Sequence, residues 1–143
     1  MRAFFWVLVL SGCFLSLATK AQESTQTVVV RNLDKKKGDV YIGWYNSQES
    51  YMDAGKAAYK KVVPVTGKNE VAVAFDNIPS GTYAITVFFD SNGNGELDKN
   101  LLGIPREEYG FSNNIIPLTR SATFQEASIS VNGRPQSIII GIK

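Results

Sequence analysis

Alternating apolar and polar residues recur in short runs along most of this chain, and residues typical of turns separate the runs. The side chains of a β-strand point alternately to its two faces, so a period of two predicts strands. The run Thr82–Phe89 is apolar on both faces, which predicts a central strand that is covered on both sides. In the run from 40 to 45, one face carries Val40, Ile42 and Trp44, and the other carries Tyr41, Gly43 and Tyr45.

The pattern favours one all-β domain, a single antiparallel β-sandwich of transthyretin-like or immunoglobulin-like topology. No run shows the period of a long helix, and the chain has the length of one domain. Residues 46–59 are expected to form a loop with a short helical turn, and residues 116–125 a polar connector. About seven strands are predicted: Thr25–Leu33, Val40–Tyr45, Lys60–Thr66, Glu70–Phe75, Thr82–Phe89, Ala127–Val131 and Gln136–Ile142.

Residues 1–21 have the layout of a secretory signal peptide. Arg2 precedes the almost wholly apolar run Phe4–Leu17, and the segment ends on Ala21. We therefore expect residues 22–143 to be the mature domain, secreted or periplasmic. A membrane anchor is the alternative, but the uncharged run Ala3–Thr19 is shorter than the roughly 20 residues that span a bilayer comfortably.

Cys13 gives a second alternative for the leader. The sequence Leu10-Ser11-Gly12-Cys13 resembles the lipobox of bacterial lipoproteins, in which the cysteine is acylated and anchors the protein to the membrane. The residues that follow Cys13 stay apolar, where lipoproteins usually become polar, so soluble export is the preferred interpretation. Cys13 is the only cysteine of the chain, and the mature domain can therefore form no disulfide.

Charge and residue inventory exclude several functions. Without residues 1–21, the domain has 13 basic and 13 acidic residues, and its one basic cluster, Lys35-Lys36-Lys37, is typical of a solvated turn. We expect no nucleic-acid partner. Because the chain has no histidine and its mature part no cysteine, a Ser-His-Asp triad, a cysteine nucleophile and a histidine-ligated zinc are excluded.

The polar stretch 90–98 carries the clearest candidate chemistry, a DxNxNGxxD loop directly after the most strand-like run. Its oxygen-bearing residues match the spacing of an EF-hand loop, with a glycine at the sharp turn. Oxygen ligands without histidine or cysteine suit Ca²⁺. The predicted ligands are Asp90, Asn92, Asn94 and Asp98 through side chains and Glu96 through its backbone carbonyl.

The match to a calcium loop is incomplete. Leu101 occupies the position of the bidentate glutamate, and Glu107, Glu108 or Asp53 can replace it only by folding back onto the loop. The alternative is an ordinary turn network, in which Asn and Asp side chains bond their own backbone without an ion.

Residues 102–114 form the second half of this constellation. The apolar residues of this stretch, together with Leu101 just before it, are expected to be buried against the edge of the sandwich: Leu102, Ile104, Tyr109 and Phe111. The four residues that can form an aromatic and amide surface for a glycan or an envelope protein are Tyr109, Phe111, Asn113 and Asn114. Trp44 is predicted to lie in the core, whereas Tyr41 and Tyr45 on the opposite face are a second candidate binding surface.

Several stretches together resemble one known family. The turn Asn77–Tyr83, the strand that follows it, the loop 90–98 and the two motifs Leu102–Pro105 and Tyr109–Asn114 are similar to the secreted bacterial family called domain of unknown function 2141. The resemblance implies export and a transthyretin-like or immunoglobulin-like sandwich. It supplies no mechanism, and where the family often has a histidine before the aspartate this chain has Phe89.

The sequence thus predicts an exported, non-catalytic binding or structural module of the bacterial cell envelope. The alternative is a carboxylate-dependent hydrolase that acts on an extracellular glycan, with Glu107 and Glu108, or Asp90 and Asp98, as its acid pair.

Overall fold

The structure is a computed structural model that describes residues 22–143. The predictions of a signal peptide and of lipidation at Cys13 concern residues outside this range. Eight strands are described: β1 Glu23–Arg31, β2 Lys37–Tyr45, β3 Tyr59–Thr66, β4 Glu70–Pro79, β5 Gly81–Asp90, β6 Tyr109–Phe111, β7 Ser128–Val131 and β8 Gln136–Gly141.

The strands form two sheets, which confirms the predicted all-β sandwich. The three-stranded sheet has the order β4-β1-β8, and the larger sheet has the order β3-β2-β5-β6. Strand β7 also pairs with β5, along Gly81–Ala84, whereas β6 pairs along Thr86–Phe88. Strand β5 therefore lies at the centre of the larger sheet, as its two apolar faces predicted.

Two details of the sheets differ from the prediction. Strand β8 pairs with β1 in parallel, so the sandwich is mixed rather than wholly antiparallel. Strand β6 was not among the seven predicted strands. It has only three residues, too few to show an alternating pattern, and it lies within the stretch expected to be an ordered loop. Backbone hydrogen bonds between Tyr109 and Lys143 join β6 to the end of the chain beyond β8.

The core lies between the two sheets and contains the residues that the alternation assigned to it. Trp44 is fully buried, as predicted, with its ring centroid 5.5 Å from that of Phe75 and 5.6 Å from that of Tyr83. Removal of such an aromatic side chain from a core typically costs about 3–5 kcal/mol. Other fully buried core residues are Val28, Val30, Leu33, Val40, Ile78, Ile85 and Ile140.

The helical segments are short. A 3₁₀ turn, Ala54–Lys56, lies in the predicted loop, and a one-turn helix, α1 Phe124–Ala127, precedes β7. Thr123 and Glu126 form a capping box at the start of α1. The helix therefore begins within the last residues of the stretch 116–125, which was predicted to be a connector. Within residues 22–143, no helix has the length and hydrophobicity to cross a membrane.

The carboxylate of Glu126, at the start of α1, makes the stability of the protein depend on pH. The Arg120 guanidinium donates hydrogen bonds of 2.7 and 2.8 Å to its carboxylate and, with bonds from Thr123, lowers the pKa of Glu126 from 4.5 to about 2. A carboxylate whose pKa is depressed by folding stabilises the protein fully above its unfolded pKa and loses that contribution as the pH falls.

We expect Glu126→Gln to flatten the decline in thermal stability between about pH 4.5 and pH 2. Thermal unfolding across this interval measures the effect, with Glu49→Gln at an exposed loop position as the control. If the Glu126 variant retains the full pH dependence of the unmodified protein, the ion pair does not contribute as described.

Candidate functional site

The loop after β5 curls around the buried carboxylate of Asp90. One oxygen, Oδ1, accepts the N–H of Gly93 at 2.7 Å, and Oδ2 accepts the N–H of Gly95 at the same distance. Both glycines have positive φ, 77° and 80°, a conformation that side-chain-bearing residues rarely adopt. Asp90 is completely buried, and these charge-assisted bonds compensate its lost hydration.

A second cluster forms on the exposed side of the same loop. The side-chain amides of Asn92 and Asn94 donate to Asp98, with Nδ2–Oδ2 and Nδ2–Oδ1 distances of 2.6 and 2.8 Å. Each asparagine also accepts a backbone N–H two residues ahead, that of Asn94 at 3.1 Å and that of Glu96 at 2.9 Å. These Asx turns fix the direction of both amides, so the N–H₂ groups of Asn92 and Asn94, and not their oxygens, face the carboxylate of Asp98.

Glu107 holds the two ends of the loop together. Its Oε1 accepts the backbone N–H and the hydroxyl of Ser91, at 2.8 and 2.9 Å, and its Oε2 accepts the N–H of Asp98 at 3.2 Å. Only 7% of Glu107 is exposed. The sequence left three candidates for a carboxylate that folds back onto the loop, and Glu107 is the one that does so.

A short hairpin brings Glu107 into this position. Lys99 and Pro105 form a bridge, and the N–H of Arg106 donates to the carbonyl of Asp98 at 2.7 Å. The chain therefore returns beside the loop after a tight turn at 100–104. The contact of Glu107 with the loop could not be predicted from the spacing of residues in the sequence, because it depends on the geometry of the hairpin.

The other two candidate carboxylates have different partners. Asp53 accepts the N–H of Gly55 at 3.0 Å and pairs with Lys56. Glu108 pairs with Lys36 of the β1–β2 turn. Partial burial acts to raise the pKa of Glu108, but the hydrogen bond from Lys36, a backbone hydrogen bond and the charge of Lys36 together outweigh it, so the pKa is lowered. This ion pair joins the base of the hairpin to the sandwich.

The oxygen set of the loop fits a hard cation in its chemistry. Within residues 22–143, no three His, Cys, Asp or Glu side chains are grouped as a metal cluster. A cation at this loop would therefore need amide and carbonyl oxygens beside the carboxylates of Asp90 and Asp98. A carbonyl oxygen has two lone pairs, so the Asx turns of Asn92 and Asn94 leave one free on each. To bind the ion, the carboxylate of Asp98 would give up the hydrogen bonds that it accepts from the amides of Asn92 and Asn94.

The prediction that Leu101, Leu102 and Ile104 are buried is wrong. Their relative exposures are 104%, 83% and 56%, at the tip of the hairpin. The turn is held by its backbone and by Asn100 instead of by apolar contacts. Tyr109 and Phe111, for which burial was also predicted, do pack inward, and Phe111 is only 3% exposed.

The predicted partner surface has a structural role in the described residues. Tyr109 and Phe111 pack edge to face, with ring centroids 5.6 Å apart. The Asn113 amide donates to the carbonyls of Glu126 and Ser128. The Asn114 side chain donates to the carbonyl of residue 139 in β8 and accepts the N–H of residue 141. A partner role for these four residues stays a prediction.

The second candidate surface lies in a groove on the outer face of the larger sheet. Tyr41 stacks on Phe88 with ring centroids 4.6 Å apart, and Tyr45 is covered by Tyr51. A cavity of about 330 Å³ separates this face from residues 95–105, and Thr86 and Tyr109 are among the residues that line it. Its walls are mainly apolar and aromatic.

We expect Glu107→Gln to lower the free energy of unfolding by about 1–3 kcal/mol, because the amide presents an N–H₂ group to donors that the carboxylate now satisfies. Urea denaturation measures the change. Glu96→Gln, at an exposed position of the same loop, is the matched control and should change stability by less than about 0.5 kcal/mol. Equal stability of the two variants would contradict the role of Glu107.

Comparison with known proteins agrees with the resemblance noted in the sequence. The model of a family described as "Uncharacterized protein conserved in bacteria (DUF2141)" matches residues 28–139, a range that begins within β1, ends within β8 and includes the whole loop. No significant match is found among curated proteins or among solved structures. The chain therefore belongs to the bacterial family DUF2141.

Proposed function

We propose that this protein is a non-catalytic binding or structural module of the bacterial cell envelope, and that its 90–98 loop binds Ca²⁺. The sandwich supplies a rigid platform, and the ion stiffens the loop that projects from it. The partner is an envelope protein or a glycan that contacts the loop and the neighbouring residues 109–114.

The convergence of Asn92, Asn94 and Asp98 is the observation that supports calcium most directly. Their side chains lie together on one side of the loop, with the amide N–H₂ groups toward Asp98, and Asp90 orients the glycine turn beneath them. With two carboxylates among the ligands, we expect weak binding, with a Kd on the order of 10⁻⁴–10⁻³ M as in extracellular modules.

The surroundings of the carboxylates support a non-catalytic function. Asp90 and Glu107 are buried and hydrogen-bonded to the backbone, and Glu108 is paired with Lys36. A general acid or a nucleophile must reach the substrate, and these groups are committed to the loop instead. Each acid pair named for the alternative hydrolase contains at least one of them.

Export is supported by the sequence. The run Phe4–Leu17 has the layout of a signal segment, and the domain contains no cysteine that oxidation outside the cytoplasm would affect. Mass spectrometry of the protein isolated from its own cells tests this point, since cleavage after Ala21 and acylation at Cys13 give different masses.

The calcium proposal is tested by isothermal titration with CaCl₂ in a chelator-treated buffer. We expect one saturable site and, at 10 mM CaCl₂, a stabilisation of about 1.4–2.7 kcal/mol for a Kd of 10⁻³–10⁻⁴ M. Asp98→Ala should abolish the heat of binding, because it removes the carboxylate on which the two amides converge.

The control is Glu96→Gln, which removes a side-chain charge but leaves the backbone carbonyl that we assign as the ligand. Its Kd should stay within about threefold of that of the unmodified protein, since an exposed charge contributes little. No heat and no melting shift at 10 mM, roughly ten times the weakest expected Kd, would refute the calcium site.

A further inference from the structure

The hairpin tip 100–104 has a combination of features that the calcium proposal does not use. Three aliphatic side chains, Leu101, Leu102 and Ile104, project from one turn with exposures of 104%, 83% and 56%. Single exposed apolar residues are common on proteins, but three on one projecting turn form a concentrated apolar surface that faces water.

Four of the five backbone N–H groups of this tip have acceptors within the tip. Asn100 Oδ1 accepts the N–H groups of Leu102 and Ile104, at 2.9 and 3.0 Å. The N–H of Gly103 donates to the Asn100 carbonyl at 2.9 Å, and the N–H of Asn100 donates to the Ile104 carbonyl at 2.8 Å. Pro105 has no N–H. Entry of the tip into a lipid interface would therefore leave these four donors paired, which lowers the cost of removing the turn from water.

Charge at the base of the hairpin points to the same environment. Lys99 and Arg106 flank the tip, both are exposed, and neither forms an ion pair in the part of the chain that the structure describes. Of the acidic groups nearby, Glu107 is buried, Asp98 is half-buried beside two neutral asparagine amides, and Glu96 is exposed. Two cations beside an apolar tip complement the phosphates of a lipid surface.

We propose that residues 100–104 insert into the interface of a lipid bilayer that contains anionic headgroups. The three aliphatic side chains enter the acyl boundary, and Lys99 and Arg106 remain at the level of the phosphates. The insertion orients the sandwich on the membrane with its 90–98 loop toward the lipid. It does not depend on calcium, so the failure of one proposal leaves the other testable.

The test places a fluorescent label directly on the tip. The full chain carries Cys13→Ser and Leu102→Cys, is purified in the form that the cells deliver, and is labelled with an environment-sensitive dye. With vesicles of equal parts phosphatidylcholine and phosphatidylglycerol in EDTA, we expect the emission to shift to shorter wavelength and to be quenched by brominated acyl chains. Leu101→Ser and Ile104→Ser should each weaken vesicle binding about tenfold, as expected for the loss of one buried aliphatic side chain.

The matched control carries the label at Ser80→Cys, in the exposed turn that begins β5. This site is at the opposite end of that strand, roughly 30 Å from the loop by the rise per residue. Its emission should not change in protein from which residues 1–21 have been cleaved, the form that this comparison requires because the N–H of residue 80 donates to the Gln22 carbonyl at 3.0 Å. Unchanged emission at position 102 would refute the insertion. A shift at position 102 without vesicles that grows with protein concentration would also refute it, since the tip would then dock on a second copy of the chain.

Discussion

Hydrogen bonds from backbone N–H groups to two buried carboxylates determine the shape of the 90–98 loop. Asp90 captures the amides of Gly93 and Gly95, and Glu107 captures those of Ser91 and Asp98. A buried carboxylate is costly unless donors compensate it, and backbone amides in a loop are costly unless acceptors satisfy them. Each group removes the penalty of the other, so a loop of glycine and asparagine becomes a defined structure.

The sandwich makes this exchange possible because it fixes where the two carboxylates lie. Asp90 is the last residue of β5, the central strand of the larger sheet, and Glu107 precedes β6, which pairs with β5 in antiparallel. The Lys36–Glu108 ion pair joins the same region to the β1–β2 turn. The loop is therefore held at both ends by the sheet, and its exposed side can present the convergent amides and carboxylate of the second cluster.

Local patterns in the sequence predicted most of the fold and part of the site. The alternation assigned Trp44 to the core, and the EF-hand-like spacing indicated a sharp turn at a glycine after Asp90. Local patterns could not predict contacts between distant segments. The parallel pairing of β1 with β8 and the contact of Glu107 with the loop both depend on tertiary geometry. The expected burial of Leu101 was wrong because apolar residues are only preferentially inside, and a hydrogen-bonded turn can hold them in water.

Amide hydrogen exchange, followed by NMR in calcium-free buffer, tests most directly whether carboxylates shape the loop. The N–H groups of Ser91, Gly93, Gly95 and Asp98 are all bound to Asp90 or Glu107, so they should exchange slowly, at rates comparable to amides in the strands. Exchange at the rate of an unfolded peptide for these four amides, with the strands protected, would contradict the account.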